Sequence, residues 1–128
     1  MAYLTRDELI EIYGLVEIEK LEKNISGVSG GHPLTTEKAI SRAEDFVISF
    51  VAKKYPLPLP ATTEPIKNAI SVLARYFLYK DRPTEKVSQD YEDTKSWLKQ
   101  VSIGNAVLIF PDPEDQPEKL IGTGIFVV

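Results

Sequence analysis

The chain of 128 residues contains no cysteine. That absence removes disulfides, thiolate metal sites and cysteine nucleophiles together, and it fits a reducing compartment. Histidine is nearly absent: His32 stands alone. A catalytic or metal-binding histidine normally has an orienting carboxylate or co-ligands beside it. His32 lies in the glycine-rich run "SGVSGGHP", so it reads as a surface residue. A basic excess is also missing, because the formal net charge is −4. Proteins that coat nucleic acid draw affinity from neutralised phosphates and usually carry such an excess. No apolar run approaches the ~20 residues that span a bilayer. The start, "MAYLTRDELI", has no cationic stretch followed by an apolar one and does not read as a signal peptide. These absences lead us to expect one soluble, cytoplasmic domain of ordinary composition, 43% hydrophobic and 27% charged.

Catalytic signatures are missing too. A phosphate-cradling loop needs Lys-Ser or Lys-Thr after its last glycine, between a strand and a helix. Here His-Pro follows "SGG" and no strand precedes it, so residues 26–33 read as a plain loop. No G-x-S-x-G turn is present, and one loop histidine is a thin base for a triad. "DPED" at 112–115 lacks the spacing of a calcium loop and reads as a solvated acidic segment. Glu8, Glu11, Glu17 and Glu19 read as helix-surface charge. No pair of carboxylates suggests an acid beside a base.

What is there is helical patterning. Thr5 and Glu8 have the spacing of a capping box ahead of Leu9, Ile10 and Tyr13, and Gly14 offers a C-terminal cap. "LVEIEKLEK" predicts a second short helix with Ile18, Leu21 and Ile25 on one side. From about Thr36 to Tyr55, Ile40, Ala43, Val47, Phe50 and Val51 form an apolar stripe widened by Phe46. Glu44 and most other charges are expected on the opposite side. Prolines 56, 58 and 60 then make a stiff connector. The next helix has Thr63 as N-cap and Pro65 in its first turn, with Ile66, Ile70, Leu73 and Phe77 along one face. Thr84 caps a third long helix reaching about Ile103, with Val87, Tyr91, Leu98 and Val101 inside and Gly104 as its stop. "NAVLIF" and "LIGTGIFVV" are β-prone. They read as a hairpin or as an extended arm that pairs against a partner.

"RYFLYKDRP", 75–83, could be a basic–aromatic patch for nucleic acid or the end of a packed helix. The apolar stripe that begins at Ile66 passes through Phe77, and Tyr76 and Tyr79 fall at its edges. Arg75, Lys80 and Arg82 gather at the C-terminal end, where cations favour the helix dipole. A packed helix with a cationic end accounts for every residue, and edge tyrosines suit a protein interface.

Four segments in order, "MAYLTRDELIEIYG", "YPLPLP", "ARYFLYKDRP" and "YEDTKSWLKQVSIGN", resemble the Mu-like phage and prophage head–tail joining proteins. The resemblance covers residues 1 to about 105. It departs in the loop "SGVSGGHPL", where that family often carries acidic residues, and it does not reach the tail beyond Gly104. It implies a mainly α fold, a compact bundle of about five helices, three of them long, over 1–104; composition alone adds an extended or β-hairpin arm over 105–128.

The resemblance also implies a structural virion protein without catalysis, cofactor or metal. Such a connector, or adaptor, assembles as a ring of about a dozen copies beneath the portal. It extends the DNA channel without reading sequence and docks a stopper or the tail. It would be found in the host cytoplasm during assembly and then in the virion neck, away from membranes. The candidate interface residues are Arg75, Tyr76, Tyr79, Lys80 and Arg82, with Phe110, Ile125 and Phe126 in the arm. The alternatives are a tail-completion or terminator protein and a small helical nucleic-acid-binding regulatory module.

Overall fold

The computed structural model describes residues 3–28, 31–80 and 82–110. Five helices follow one another: α1 (Arg6–Tyr13), α2 (Leu15–Ser26), α3 (Pro33–Val51), α4 (Glu64–Tyr79) and α5 (Glu85–Ser102). The fold is a mainly α bundle, and no strand occurs among the described residues. The three long helices α3, α4 and α5 pack on one another, and the short pair α1–α2 closes over α3 and α4. α4 runs antiparallel to α3, since Phe77 and Leu78 near its end line a cleft with Thr35, Lys38 and Ala39 in the first turns of α3. α5 returns antiparallel to α4: Tyr76 stacks on Tyr91, while Trp97 lies beside Pro65 and Asn68.

The periodic residues fill the core. Ile40, Ala43, Val47 and Val51 of α3, Ile66, Ile70, Leu73 and Ala74 of α4, and Leu98 and Val101 of α5 are buried. Leu78, not Phe77, ends the buried stripe of α4: Leu78 is 2% exposed, whereas Phe77 is half-buried under the Arg42 guanidinium, 4.3 Å from its ring centre.

The ends of the helices follow local chemistry. Thr5 and Glu8 form the expected capping box. Thr84 caps α5 through its hydroxyl. Thr63 stands at the N-cap of α4, but its hydroxyl makes no cap bond and is buried without a partner among the described residues. α3 starts three residues before the expected Thr36, because Pro33 sits at its first position and the His32 ring nitrogen accepts the Leu34 N–H. It also ends earlier, at Val51, and a turn over 52–54 leads into the proline connector, where the Leu57–Pro58 bond is cis and Leu59 is buried.

Two carboxylates depart from the surface role given to such residues. Glu44 is buried and accepts the backbone N–H groups of Tyr3 and Leu4, so it fastens the N-terminal segment to α3. Glu22 is fully buried and accepts from both Arg6 and the Thr36 hydroxyl, joining α1, α2 and α3 at one point. Burial pushes its carboxyl up, but the bonds from Arg6 and Thr36 outweigh that and hold it below the ordinary glutamate range. The glycine loop serves this site. Gly31 has φ +87°, and a Cβ there would collide with the Glu22 carboxylate.

The β-prone run 105–110 is neither strand nor free arm. Leu108 is buried in the helical core, its N–H donates to the Tyr55 hydroxyl at 2.8 Å, and Phe110 packs edge-on against the Tyr55 ring. The expected hairpin partner, 120–128, lies outside the described residues.

Two outcomes test the Glu22 site. Arg6→Ala leaves a buried carboxylate without its cation and should cost about 3–5 kcal/mol in urea unfolding. The wild-type carboxyl lies below its unfolded value. Its contribution is therefore present above about pH 4.5 and lost as pH falls through the folded value, a decline that Arg6→Ala should flatten. Gly31→Ala should cost about 1–3 kcal/mol through the positive φ and the collision, read as a lowered Tm.

Candidate functional site

The cationic end of α4 divides into a fixed part and a presented part. Arg75 is fixed. Its guanidinium forks onto Glu17 of α2, with Nε to Oε2 at 2.7 Å and Nη2 to Oε1 at 3.2 Å, and it covers the Tyr13 ring at 4.3 Å. The Tyr79 hydroxyl donates to the same Glu17 carboxylate at 3.1 Å. Burial would lower the Arg75 pKa, but Glu17 holds it above its ordinary value. Glu17 is thus not free surface charge, and neither is Glu8, which pairs with Lys67 at 2.8 Å. Tyr76 is half-buried, stacked on Tyr91 with ring centres 3.9 Å apart. Its face is therefore already occupied, which removes the stacking platform that single-strand recognition needs.

Lys80 and Arg82 are presented. Both are exposed, and neither makes an ion pair among the described residues. They border a cleft of about 560 Å³ between α2 and the end of α4, floored by Leu21, Ile25 and Leu78 and edged also by Lys20 and Tyr79. Among the described residues, only the Glu17 carboxylate brings negative charge to its lining, and Arg75 already neutralises it. A second cleft shares Ile25, Leu78 and Lys80 and adds Lys38 and Arg42.

Lys80 also has an unusual backbone, φ +55° and ψ −114°. The Arg82 N–H donates to the Tyr79 carbonyl at 3.1 Å, which closes a tight turn with Lys80 at its first central position. Glycine is the usual residue for that geometry, and a lysine there is strained by about 1–3 kcal/mol.

Besides the exposed Val28, Leu34 and Leu57, apolar side chains are exposed in groups at two separate places. One is the corner between α1 and α2, where Ile12, Leu15 and Val16 stand out around Gly14, Val16 with 81% of its surface exposed. The other is the end of the described chain, where Ile103, Val107 and Ile109 are exposed beside a cleft lined by Trp97 and Pro65. Among the candidate arm residues, Phe110 is half-buried on Tyr55, whereas Ile125 and Phe126 lie outside the described residues.

Sequence reasoning therefore placed Lys80 and Arg82 on an accessible surface, and the structure adds Lys20 opposite them. It missed that Arg75 is bound internally. The signal was present in Glu17, which falls on the same helical face as Leu21 and so points toward α4. No cluster of His, Cys, Asp or Glu able to hold a metal occurs among the described residues. No helix among them is long and apolar enough to cross a membrane.

Two substitutions separate the fixed from the presented part. Removing Arg75 and Glu17 singly and together should give a coupling energy of about 1–2 kcal/mol, moderated by partial exposure. Lys80→Gly should raise stability by about 1 kcal/mol by relieving the turn, a gain no structural role of the lysine would predict.

Comparison with known proteins identifies the family. The family model described as Bacteriophage Mu, Gp36 matches residues 3–123, so the similarity runs past Gly104, where the motif resemblance stopped. The chain is similar to the Mu-like prophage FluMu protein gp36 of Haemophilus influenzae, 29% identical over 116 residues, 91% of this chain and 82% of that protein. It is similar also to gene product J of Escherichia phage Mu, 28% identical over 104 residues, 81% of this chain and 74% of that protein. With a match across nearly its whole length, the chain belongs to the Mu Gp36 family of phage and prophage proteins.

Proposed function

We propose that this phage protein is a head–tail connector, a non-enzymatic adaptor that assembles as a ring of about a dozen copies beneath the portal. The observation that carries this reading is the pair of exposed apolar features at different places on one small bundle, Val16 at the α1–α2 corner and Val107 and Ile109 beside the Trp97 cleft. Exposed apolar surface at two unlike sites suits heterologous contacts, which propagate from copy to copy and close into a ring. Membership in a phage and prophage family supports an assembly of this kind.

In this reading the ring extends the DNA channel, contacts the portal on one side and a stopper or tail protein on the other, and requires no cofactor. It forms in the host cytoplasm and ends in the virion neck. Genomic DNA passes without base-specific contacts, consistent with the occupied face of Tyr76 and the net charge of −4. The all-helical body of the described residues weighs against a tail-terminator, a class usually built on mixed sheets, and the occupied face of the Tyr76–Tyr91 stack weighs against a nucleic-acid-binding module.

The arm supplies the reach to the portal or the next ring. Because Leu108 belongs to the core, the separable part begins at 111, after Phe110, and not at Asn105. A chain ending at Phe110 should keep the helical far-UV spectrum of the full protein and fail to join heads to tails. Native mass spectrometry of the full chain with portal rings of the same phage should show many copies per portal. Absence of any association across salt conditions would overturn the connector reading.

A further inference from the structure

We propose that the cleft between α2 and the end of α4 is the seat of the acidic segment 112–115 of a neighbouring copy of this chain. The cleft combines an apolar floor, Leu21, Ile25 and Leu78, with a rim of Lys20, Lys80 and Arg82. A duplex backbone prefers an open cationic surface, whereas a concave apolar floor with charged edges fits a peptide that carries both apolar and acidic side chains. The chain contains such a peptide. "FPDPEDQPEK", 110–119, places Asp112, Glu114 and Asp115 among Pro111, Pro113 and Pro117. Proline-rich segments dock with little loss of entropy on apolar and aromatic grooves, and three acids face three cations.

Geometry decides which copy supplies the segment. The described residues end at Phe110, beside Tyr55, with Val107, Leu108 and Ile109 near the first turn of α4. The cleft is at the last turn of α4, on the flank that faces α2. The rise from Pro65 to Lys80 is about 22 Å at 1.5 Å per residue. Residues 112–115 lie two to five positions beyond Phe110, a reach of at most about 7–18 Å when fully extended. The end of the described chain also lies beside Ala69, about 16 Å from Lys80 along α4, so the segment reaches its own cleft only by running straight along the helix, whereas a neighbouring copy, which can approach from any side, is the favoured donor. Donor and acceptor sit at opposite ends of one bundle, so the contact is head-to-tail. It identifies one of the copy-to-copy contacts that the proposed ring requires, and it rests on that reading only for closure into a ring.

The strained Lys80 turn fits this role. The turn holds a charged side chain at the rim where glycine would be easier, so Lys80→Gly should raise Tm and weaken the contact together.

The test uses a fluorescent peptide of residues 110–119 and the full-length chain. Anisotropy should show saturable binding that weakens as salt rises. The K20E/K80E/R82E chain should bind it about tenfold more weakly or worse. A peptide with Asp112, Glu114 and Asp115 changed to Lys should reverse the preference, binding the triple-glutamate chain over the wild type. This rescue also proves that the variant is folded.

In full-length form, each charge-reversed protein, tail or cleft, should fail to self-associate alone, and the two mixed should form alternating oligomers. Failure of the peptide to bind wild-type chain, or equal affinity for the cleft variant, overturns the proposal. So does duplex DNA that occupies the same three cations while the peptide does not. If the peptide fails while the chain still adds to portal rings, this contact is wrong and the connector stands. If the peptide binds and the chain never joins a portal, the contact stands and the connector reading falls.

Discussion

The buried Glu22 carboxylate is the point on which the arrangement of the short helices depends. A charge with no exposed surface is tolerated only when it is paired and hydrogen-bonded. Here the partners come from two other elements, Arg6 of α1 and Thr36 of α3. The requirement fixes the register of three helices at once. It also explains why the loop between α2 and α3 is rich in glycine: Gly31 passes so close to the carboxylate that no side chain fits. The α1–α2 corner, with its exposed Val16, and the α2 wall of the cationic cleft both take their positions from that anchor.

The long helices were legible in the sequence because they rest on repetition. The stripe from Ile66 and the one from Ile40 each repeat a 3.6-residue period over several turns, and small errors at individual positions cancel. The ends were less legible. A glycine-rich stretch with one proline read as loop as far as Thr36, yet Pro33 is better suited to a first helical turn than to a loop interior, and α3 begins there. Glu22 left a trace that periodicity alone does not interpret. It lies on the same face as Ile18, Leu21 and Ile25, and a carboxylate inside an apolar stripe implies a buried partner. Which cation would supply it depended on tertiary packing.

The candidate surface was half legible for a similar reason. Helix-end cations are identified by position, but whether each is bound or presented is decided by the neighbouring element. Arg75 and Lys80 are five residues apart and meet opposite fates, one clasped by Glu17 and the other exposed on a strained turn. The run 105–110 shows the limit of local propensity: its branched residues favour strand, and burial of Leu108 against the helices overrides that preference.

The short helices share the apolar core of the long ones and add carboxylate fastenings of their own. The chain from Tyr3 through α1 buries Leu4 and Leu9 in the common core and is tied further by carboxylates: Glu44 on the Tyr3 and Leu4 amides, Glu22 on Arg6, and Glu8 on Lys67. The interior of α3, α4 and α5 is aliphatic. Glu22 and Glu8 both lie below their ordinary values, so acidification withdraws their contribution while leaving apolar burial intact. Amide hydrogens of α1 therefore exchange through local openings that multiply on the acid side, while those of α4 wait for global unfolding.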